Sequence, residues 1–350
     1  MTIIDARLES TRATIADDLM HARDAGVKWL VAHVSDIGEP LDADAYNAYY
    51  RVPWALATAG QPYAASSVLS WVEKHALDES GDLLPGAAQR PFITNDASYP
   101  LTVLALAAWH LERYDLANKI MDKLRDYQNP ITGGAYHERV ELRSTDRQGL
   151  MSTAQLGMTG LATGRREVAE GAFRWMVDLY KAQPELPHRL YTCSNSSGLI
   201  TEFGDDVAFG HVVDVQLPRQ AYFNLGIGAA FLGRYYLLTA DPEAKRVGRE
   251  LIRLSEKGTD RQFDYADTVH VGKVAWGAAV MLQVEPDEQL LMLLERMTKW
   301  ILDCQLADGR WNPSAFLYPA PIGADALWKT GEHVVIINMI LCALGGYRSG

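Results

Sequence analysis

Cysteine is scarce in this chain: there are three in 350 residues, Cys193, Cys304 and Cys342, odd in number and without a CxxC pair. That excludes a disulfide framework, argues against a thiolate zinc centre, and fits reduced, mostly structural thiols in cytoplasm. Positive charge is also in deficit, with 33 Lys and Arg against 44 Asp and Glu and a net charge of -11. Such a field repels phosphate backbones and anionic headgroups, so neither nucleic acid nor a membrane surface is an expected partner. Apolar runs are interrupted by Gly, Arg, Lys or Glu before they reach the roughly 18 residues of a membrane span. The start, MTIIDARLESTRATIADDLM, lacks the basic segment and apolar stretch of an export signal. The expected location is the cytoplasm.

The usual cofactor signatures are missing as well. No phosphate loop, GxSxG elbow, HExxH pair or calcium loop occurs. Gly226-Ile-Gly228 has the look of a dinucleotide loop but lies inside a helical block with no strand before it, so close helix packing is the better reading. The expectation is a protein with no cofactor and no metal, whose partner is a small-molecule substrate.

What is present is helical periodicity. Apolar residues recur at three- and four-residue spacing in long blocks, and alternating strand-like runs are few. Tight turns punctuate the blocks at Ala59-Gly60-Gln61-Pro62, Glu112 to Asp115, Thr163-Gly164-Arg165, Thr239 to Pro242 and Val284 to Asp287. They recur at roughly 55-residue intervals, the range of helical-pair repeats. Long connections alternate with them, around 36–44, 78–96, 129–149, 184–217, 258–267 and 306–328. If successive helices are antiparallel neighbours, the short turns share one end and the long loops the other, where function gathers.

The pattern predicts helices over 10–35 with 45–59, 64–77 with 97–112, 115–127 with 150–163, 167–182 with 218–239, 243–257 with 268–283, and 288–305 with 329–346. The first of each pair is the more polar: Glu243 to Glu250 carries a charged face, whereas Ala221 to Leu232 is apolar or small on nearly all sides. Six inner helices within six outer ones make an all-α (α/α)6 toroid, predicted as a single domain over 1–350.

The segment Trp300-Ile301 followed by Gln305-Leu-Ala-Asp308-Gly309-Arg-Trp311 resembles the glutamine-tryptophan repeat of squalene-hopene cyclases and the wider terpenoid cyclase and protein prenyltransferase toroids. In such a segment the Gln amide ties a helix end to the turn, Asp-Gly makes the turn and Trp covers the helix pair. Degenerate copies are Trp29-Leu30 with Gly38, Trp71-Val72 with Gly81, Gln128 with Gly133-Gly134 and Tyr136, and Gln183 before Leu190-Tyr191. The resemblance covers nearly the whole chain as architecture. Similar segments occur in (α/α)6 carbohydrate enzymes such as unsaturated glucuronyl hydrolases, so the motif does not choose the chemistry. The sequence departs from the terpenoid families in having neither DxDD nor DDxxD; Asp205-Asp206 is only a pair.

In a toroid, the first turns of the inner helices face one mouth. They contribute Tyr46, Tyr49, Tyr50 and Arg51; Asn95, Asp96 and Tyr99; Ser152, Thr153 and Gln155; Gln216, Arg219, Gln220 and Tyr222; Asp267, His270, Lys273 and Trp276; and Trp328, Lys329, Glu332 and His333. From these, Glu332 or Asp96 is the expected proton-transfer group, Glu332 through a pKa raised by partial burial. Adjacent positions on a helix diverge by about 100°, so only one of Glu332 and His333 is expected to point into the cavity. The alternative for Glu332 is a helix-dipole partner, and for Asp96 a helix cap. His270 and Lys273 share a helix face with Trp276 and would stabilise developing negative charge over an aromatic floor. Arg219 and Gln220 would orient substrate, with Tyr50, Tyr99, Trp328 and His333 lining the wall.

The expected activity is cofactor-independent acid/base chemistry, a cyclisation, isomerisation or elimination on a partly apolar substrate of natural-product type. Two alternatives stand beside it: a carbohydrate-active hydrolase, lyase or epimerase with two carboxylates flanking a sugar, and a non-catalytic binding or scaffold protein.

Overall fold

The structure, a computed structural model, describes residues 3–84, 98–143, 145–263 and 271–346. Its helices are α1 (Ile3–Ala32), α2 (Val52–Thr58), α3 (Pro62–Ala76), α4 (Ser98–His110), α5 (Tyr114–Leu124), α6 (Leu150–Ala162), α7 (Arg166–Lys181), α8 (Phe223–Thr239), α9 (Pro242–Ser255), the short α10 (Asp260–Phe263), α11 (Gly272–Val284), α12 (Glu288–Asp303) and α13 (Gly323–Gly346).

Two kinds of helix follow from two kinds of sequence. α9 buries Ala244, Val247, Gly248, Leu251 and Ile252 on one stripe and turns its charged residues outward except Arg249, which is buried and paired with Glu256 and Asp287. α8 buries Asn224 through Gly233 without interruption, so it is surrounded. Helices of the second kind form a closed ring in the order α2, α4, α6, α8, α11, α13 and back to α2. α1, α3, α5, α7, α9 and α12 lie outside it, which makes an (α/α)6 toroid. The Gly323–Gly345 stretch is long and apolar enough to pass for a membrane span, but 89% of its core window is buried in the protein, as an inner-ring helix must be.

Gly226 and Gly277 let α8 and α11 touch: a Cβ on Gly277 would fall 2.5 Å from the Gly226 carbonyl, and one on Gly226 would strike the backbone of Lys273. The Gly226-Ile-Gly228 stretch is thus a helix-packing surface, and Gly226 lies against the Lys273 backbone in the first turn of α11.

The glutamine-tryptophan segment makes the expected tie between helix end and turn and adds a bond to a neighbouring helix. Gln305 Nε2 donates to Gly309 O and to Ala22 O of α1, both at 2.8 Å. It therefore ties its turn to the next outer helix, while Trp311 Nε1 secures the α12 end by donating to Ile301 O at 2.8 Å. Gln128 repeats the pattern with Gly133 O at 2.9 Å and Val168 O of α7 at 3.0 Å. Gly309 has φ +94, and a Cβ there would sit 2.5 Å from the Ala25 carbonyl. Since α12 is the last outer helix and α1 the first, this turn closes the outer ring.

The helix boundaries correct the expected ones in two places that matter for the site. α8 begins at Phe223 rather than 218, because Arg219 takes a left-handed φ of 60 and Gln220 is tied into the preceding loop. α13 begins at Gly323 rather than 329, with Asp325 accepting from the Ile322 N–H at 2.9 Å. The long loops also carry short strands that the periodicity did not predict. β1 (Gln148–Gly149) pairs with β3 (Cys193–Asn195), which pairs with β4 (Gly198–Leu199), and β2 (Arg189–Tyr191) pairs with β5 (Val212–Asp214). These ladders stitch the 129–149 and 184–217 connections into a collar above the ring.

Candidate functional site

A cavity of about 580 Å³ opens at the long-loop end. Its floor is made by the ring and its upper wall by the collar. α13 supplies Trp328, Lys329, Glu332, His333 and Ile336, whose spacing puts them on one side of the helix. The turn Ala48–Arg51 adds Tyr50 and Arg51, α4 adds Tyr99, α8 adds Phe223, and α11 adds Lys273 in its first turn.

The centre of the floor is one carboxylate among three cations. Lys273 holds Glu332 Oε1 and Lys329 holds Oε2, while Arg51 Nη2 stands 3.4 Å from Oε1. All four residues are buried, at 5–7% exposure. Counting formal charges of this cluster among the described residues, three positive and one negative leave an excess of two positive charges in a desolvated place. Arg51 Nη1 has no hydrogen-bond partner among the described residues.

Aromatic faces take part of this charge. The Arg51 guanidinium lies 4.8 Å from the Trp328 ring centre, 4.9 Å from Tyr50 and 5.3 Å from Tyr99. Lys329 Nζ is 4.3 Å above Trp328, and Lys273 Nζ is 5.6 Å from Tyr99 and 5.8 Å from Phe223. Trp328 is itself held by its Nε1 donating to Tyr50 OH at 3.0 Å. Such contacts stabilise a cation by about 1–2 kcal/mol when desolvated, far less than its hydration, so they do not replace an anion.

Protonation follows from this crowding. Burial would raise the Glu332 pKa, but Arg51, Lys273 and Lys329 outweigh it and hold the carboxyl well below its usual range. Glu332 is therefore a fixed anion, the opposite of the raised-pKa group expected from sequence. It also stands well inside α13, so it is no partner for the helix N-terminus. Lys329 moves the other way: burial, reinforced by Arg51 and Lys273 and opposed by Glu332, lowers it to about 8. His333 is pushed down to about 3 by burial first and Lys329 second. It is a neutral ring, stacked on Trp311 at 5.1 Å with its Nδ1–H on Lys329 O at 3.0 Å.

The collar brings His137, Glu138, Arg147, Cys193, Asp206 and His211 to the cavity wall. His211 is buried, and burial lowers its pKa. Its Nδ1 lies 2.9 Å from Val207 O, so Nδ1 carries the proton and Nε2 is the basic atom. Cys193, Cys304 and Cys342 are free thiols, and only Cys193 of the three lines this cavity.

Of the residues selected from sequence, Tyr50, Tyr99, Lys273, Trp328, Glu332 and His333 meet around the cavity. Glu332 and His333 both line it, although adjacent, because the cavity wraps around the middle of α13 and not its tip. Trp276 is buried one turn below Lys273 and is not part of the lining. Arg219 and Gln220 are not part of it either. The Arg219 guanidinium lies 4.7 Å over Phe316, joining two loops, and Gln220 Oε1 accepts from Asp214 N at 3.0 Å. Asp96 and His270 lie outside the described residues. Arg51 and Lys329 stood among the rim residues without an assigned role. The signals were an arginine within the aromatic run Tyr49-Tyr50-Arg51-Val-Pro-Trp54, and a lysine three positions before Glu332. His211 and Cys193 come from loops, where no periodicity marks an inward side chain.

No family model and no curated protein matches the chain. Solved structures do, at the level of the fold. The chain is similar to the GH76A α-1,6-mannanase of Salegentibacter sp. HEL1_6, with a TM-score of 0.60 and 9% identity over 95% of this chain and 99% of that one. It is similar to the type II terpene cyclase MstE from Scytonema, at TM-score 0.58 and 12% identity over 95% and 99%. It is also similar to a possible GH105 member from Salmonella enterica serovar Paratyphi A, at 0.60 and 12% over 93% and 94%. The terpenoid-cyclase-like toroid read from the glutamine-tryptophan segment is thus the fold, and glycoside hydrolases share it.

Proposed function

We propose that the chain is an enzyme that seats the anionic group of a small, partly apolar molecule on Arg51, Lys273 and Lys329 and transfers a proton at a neighbouring carbon. The observation that carries this reading is the buried Glu332 carboxylate, which faces three cations and is the one carboxylate paired with them among the described residues. A substrate carboxylate offsets one of the two excess charges and the negative charge developing on an enolate beside it offsets the second, while the aromatic wall of Tyr50, Tyr99, Trp328 and Phe223 accepts the rest of the molecule.

Electrostatics argues for one class of intermediate. Removing a proton next to a carboxylate or carbonyl places negative charge on oxygen, which Arg51 and Lys273 stabilise without reorganising. A carbocation or an oxocarbenium ion seated on this floor would instead meet the excess positive charge of Arg51, Lys273 and Lys329. Isomerisation or elimination through an enolate therefore fits better than alkene protonation or hydrolysis of a neutral glycan, the fold shared with MstE and the mannanase notwithstanding. His211, a neutral buried imidazole on the collar side of the same cavity, is the proposed proton acceptor. Within carbohydrate chemistry, a uronate is the sugar these cations would admit, and elimination or epimerisation beside its carboxylate uses the same enolate.

The test is solvent-exchange NMR in heavy water with a panel of carboxylates bearing an acidic C–H, uronates included. Deuterium uptake beside the carboxylate, reduced by about a hundredfold or more in His211→Asn, is expected. Release of sugar from α-1,6-mannan, without exchange, would overturn the reading.

A further inference from the structure

Within that anion-binding reading, Lys329 differs from its two neighbours. Arg51 and Lys273 both approach Glu332 Oε1 from other elements, whereas Lys329 alone holds Oε2 and comes from the same helix. Its Nζ is at the cavity wall over the face of Trp328, at 4.3 Å, and the residue is 6% exposed. Two more cations share its surroundings, a condition that drives a lysine toward its free amine. The lowering of this ammonium to about 8 agrees with that geometry.

We propose that Lys329 is a covalent catalytic residue whose Nζ condenses with a ketone or aldehyde carbon of the substrate, so that the substrate class is an oxo acid: a carbonyl beside or near the anionic group. The Lys329 nitrogen forms the new C–N bond, and the carbonyl C–O bond breaks. The carbonyl oxygen takes up two protons, one from the lysine and one supplied through the Lys273 ammonium and returned when the imine nitrogen forms, and leaves as water. One ammonium becomes one iminium, so the charge of the cluster is conserved and Glu332 remains its counter-ion. No oxidant, metal or organic cofactor enters the step. The iminium then draws electrons from the adjacent carbon when His211 removes its proton, giving an enamine.

The experiment is reductive trapping of the intact protein with phenylpyruvate and cyanoborohydride, read by intact mass and peptide mapping, with melting temperature followed in parallel. One label per chain on the Lys329 peptide is expected, lost in Lys329→Met and kept in Lys299→Met, an exposed lysine on α12 outside the cavity; mapping of the wild type identifies the lysine even if a variant folds poorly. No label, or label spread over exposed lysines and unchanged in Lys329→Met, would overturn the covalent role. 3-Phenylpropionate, which has the carboxylate but no carbonyl, separates the two levels. If it raises the melting temperature and Arg51→Met abolishes the rise while trapping fails, the imine falls and the anion site stands. If neither compound stabilises the protein, both fall.

Discussion

Arg51, in the turn before α2, and Glu332, well inside α13, meet at 3.4 Å across the seam where the inner ring closes. The contact joins the first ring helix to the last, so the charge cluster is both the floor of the cavity and part of what holds the toroid shut.

Removing the carboxylate leaves the cations uncompensated. Glu332→Gln is expected to lose about 3–5 kcal/mol of stability by urea unfolding near neutral pH, the usual result of breaking a buried ion cluster from one side. Part of the loss should return when an organic carboxylate is added, since it supplies the missing charge. An unchanged midpoint would mean that the cluster is hydrated and contributes little.

Alkaline pH tests Lys329. Its ordinary value of 10.5 is lowered to about 8 in the native chain, so between these pH values the unfolded chain binds more protons. The penalty is complete below about 8, and stability attributable to this group rises from there to about 10.5. The groups around it are Arg51 from the turn before α2, Tyr99 from α4, Lys273 from α11, and Glu332 and His333 from α13. Comparison with Lys329→Met largely cancels their contributions. Wild type should gain on the variant by up to about 3 kcal/mol across that window. Parallel stability curves would contradict the buried, crowded ammonium.

Gly309 and Gly60 both have positive φ, yet only Gly309 has backbone against it, with the Ala25 carbonyl 2.5 Å from a Cβ. Gly60→Ala is expected to cost about 1–2 kcal/mol from the left-handed conformation alone, and Gly309→Ala clearly more, because the α12 turn must lift from α1. Denaturant unfolding of the two variants measures the difference. Equal losses would mean that the turn does not fasten the outer ring.

Arg219 lies over Phe316 and away from the cavity lining. Arg219→Ala should therefore bind a carboxylate within about twofold of wild type. A tenfold loss by calorimetry would return Arg219 to the role expected from sequence.

The toroid was legible because helix periodicity and the alternation of short and long connections survive in a single chain. Gly and Pro mark short turns such as Ala59–Pro62, and the structure puts α2 and α3 on either side. What was hidden depends on distant partners. Glu332 and Lys273 are 59 residues apart, and Arg51 is farther still, so the sign of the Glu332 pKa shift could not be read locally. Early burial of a lone Glu predicts a raised pKa; three cations reverse it. The start of α13 was hidden by Pro321 and by an Asp325 that bonds back to Ile322, and the strands of the collar are too short to show alternation.

The central claim is that the cavity is built for an anion, and calorimetric titration of a matched set tests it most directly: 3-phenylpropionate, its neutral amide and 3-phenylpropylamine. The carboxylate should bind, and Arg51→Met should weaken it by about tenfold or more, while the amide binds feebly and the amine not at all. Binding of the amide or the amine as tightly as the acid would contradict the account.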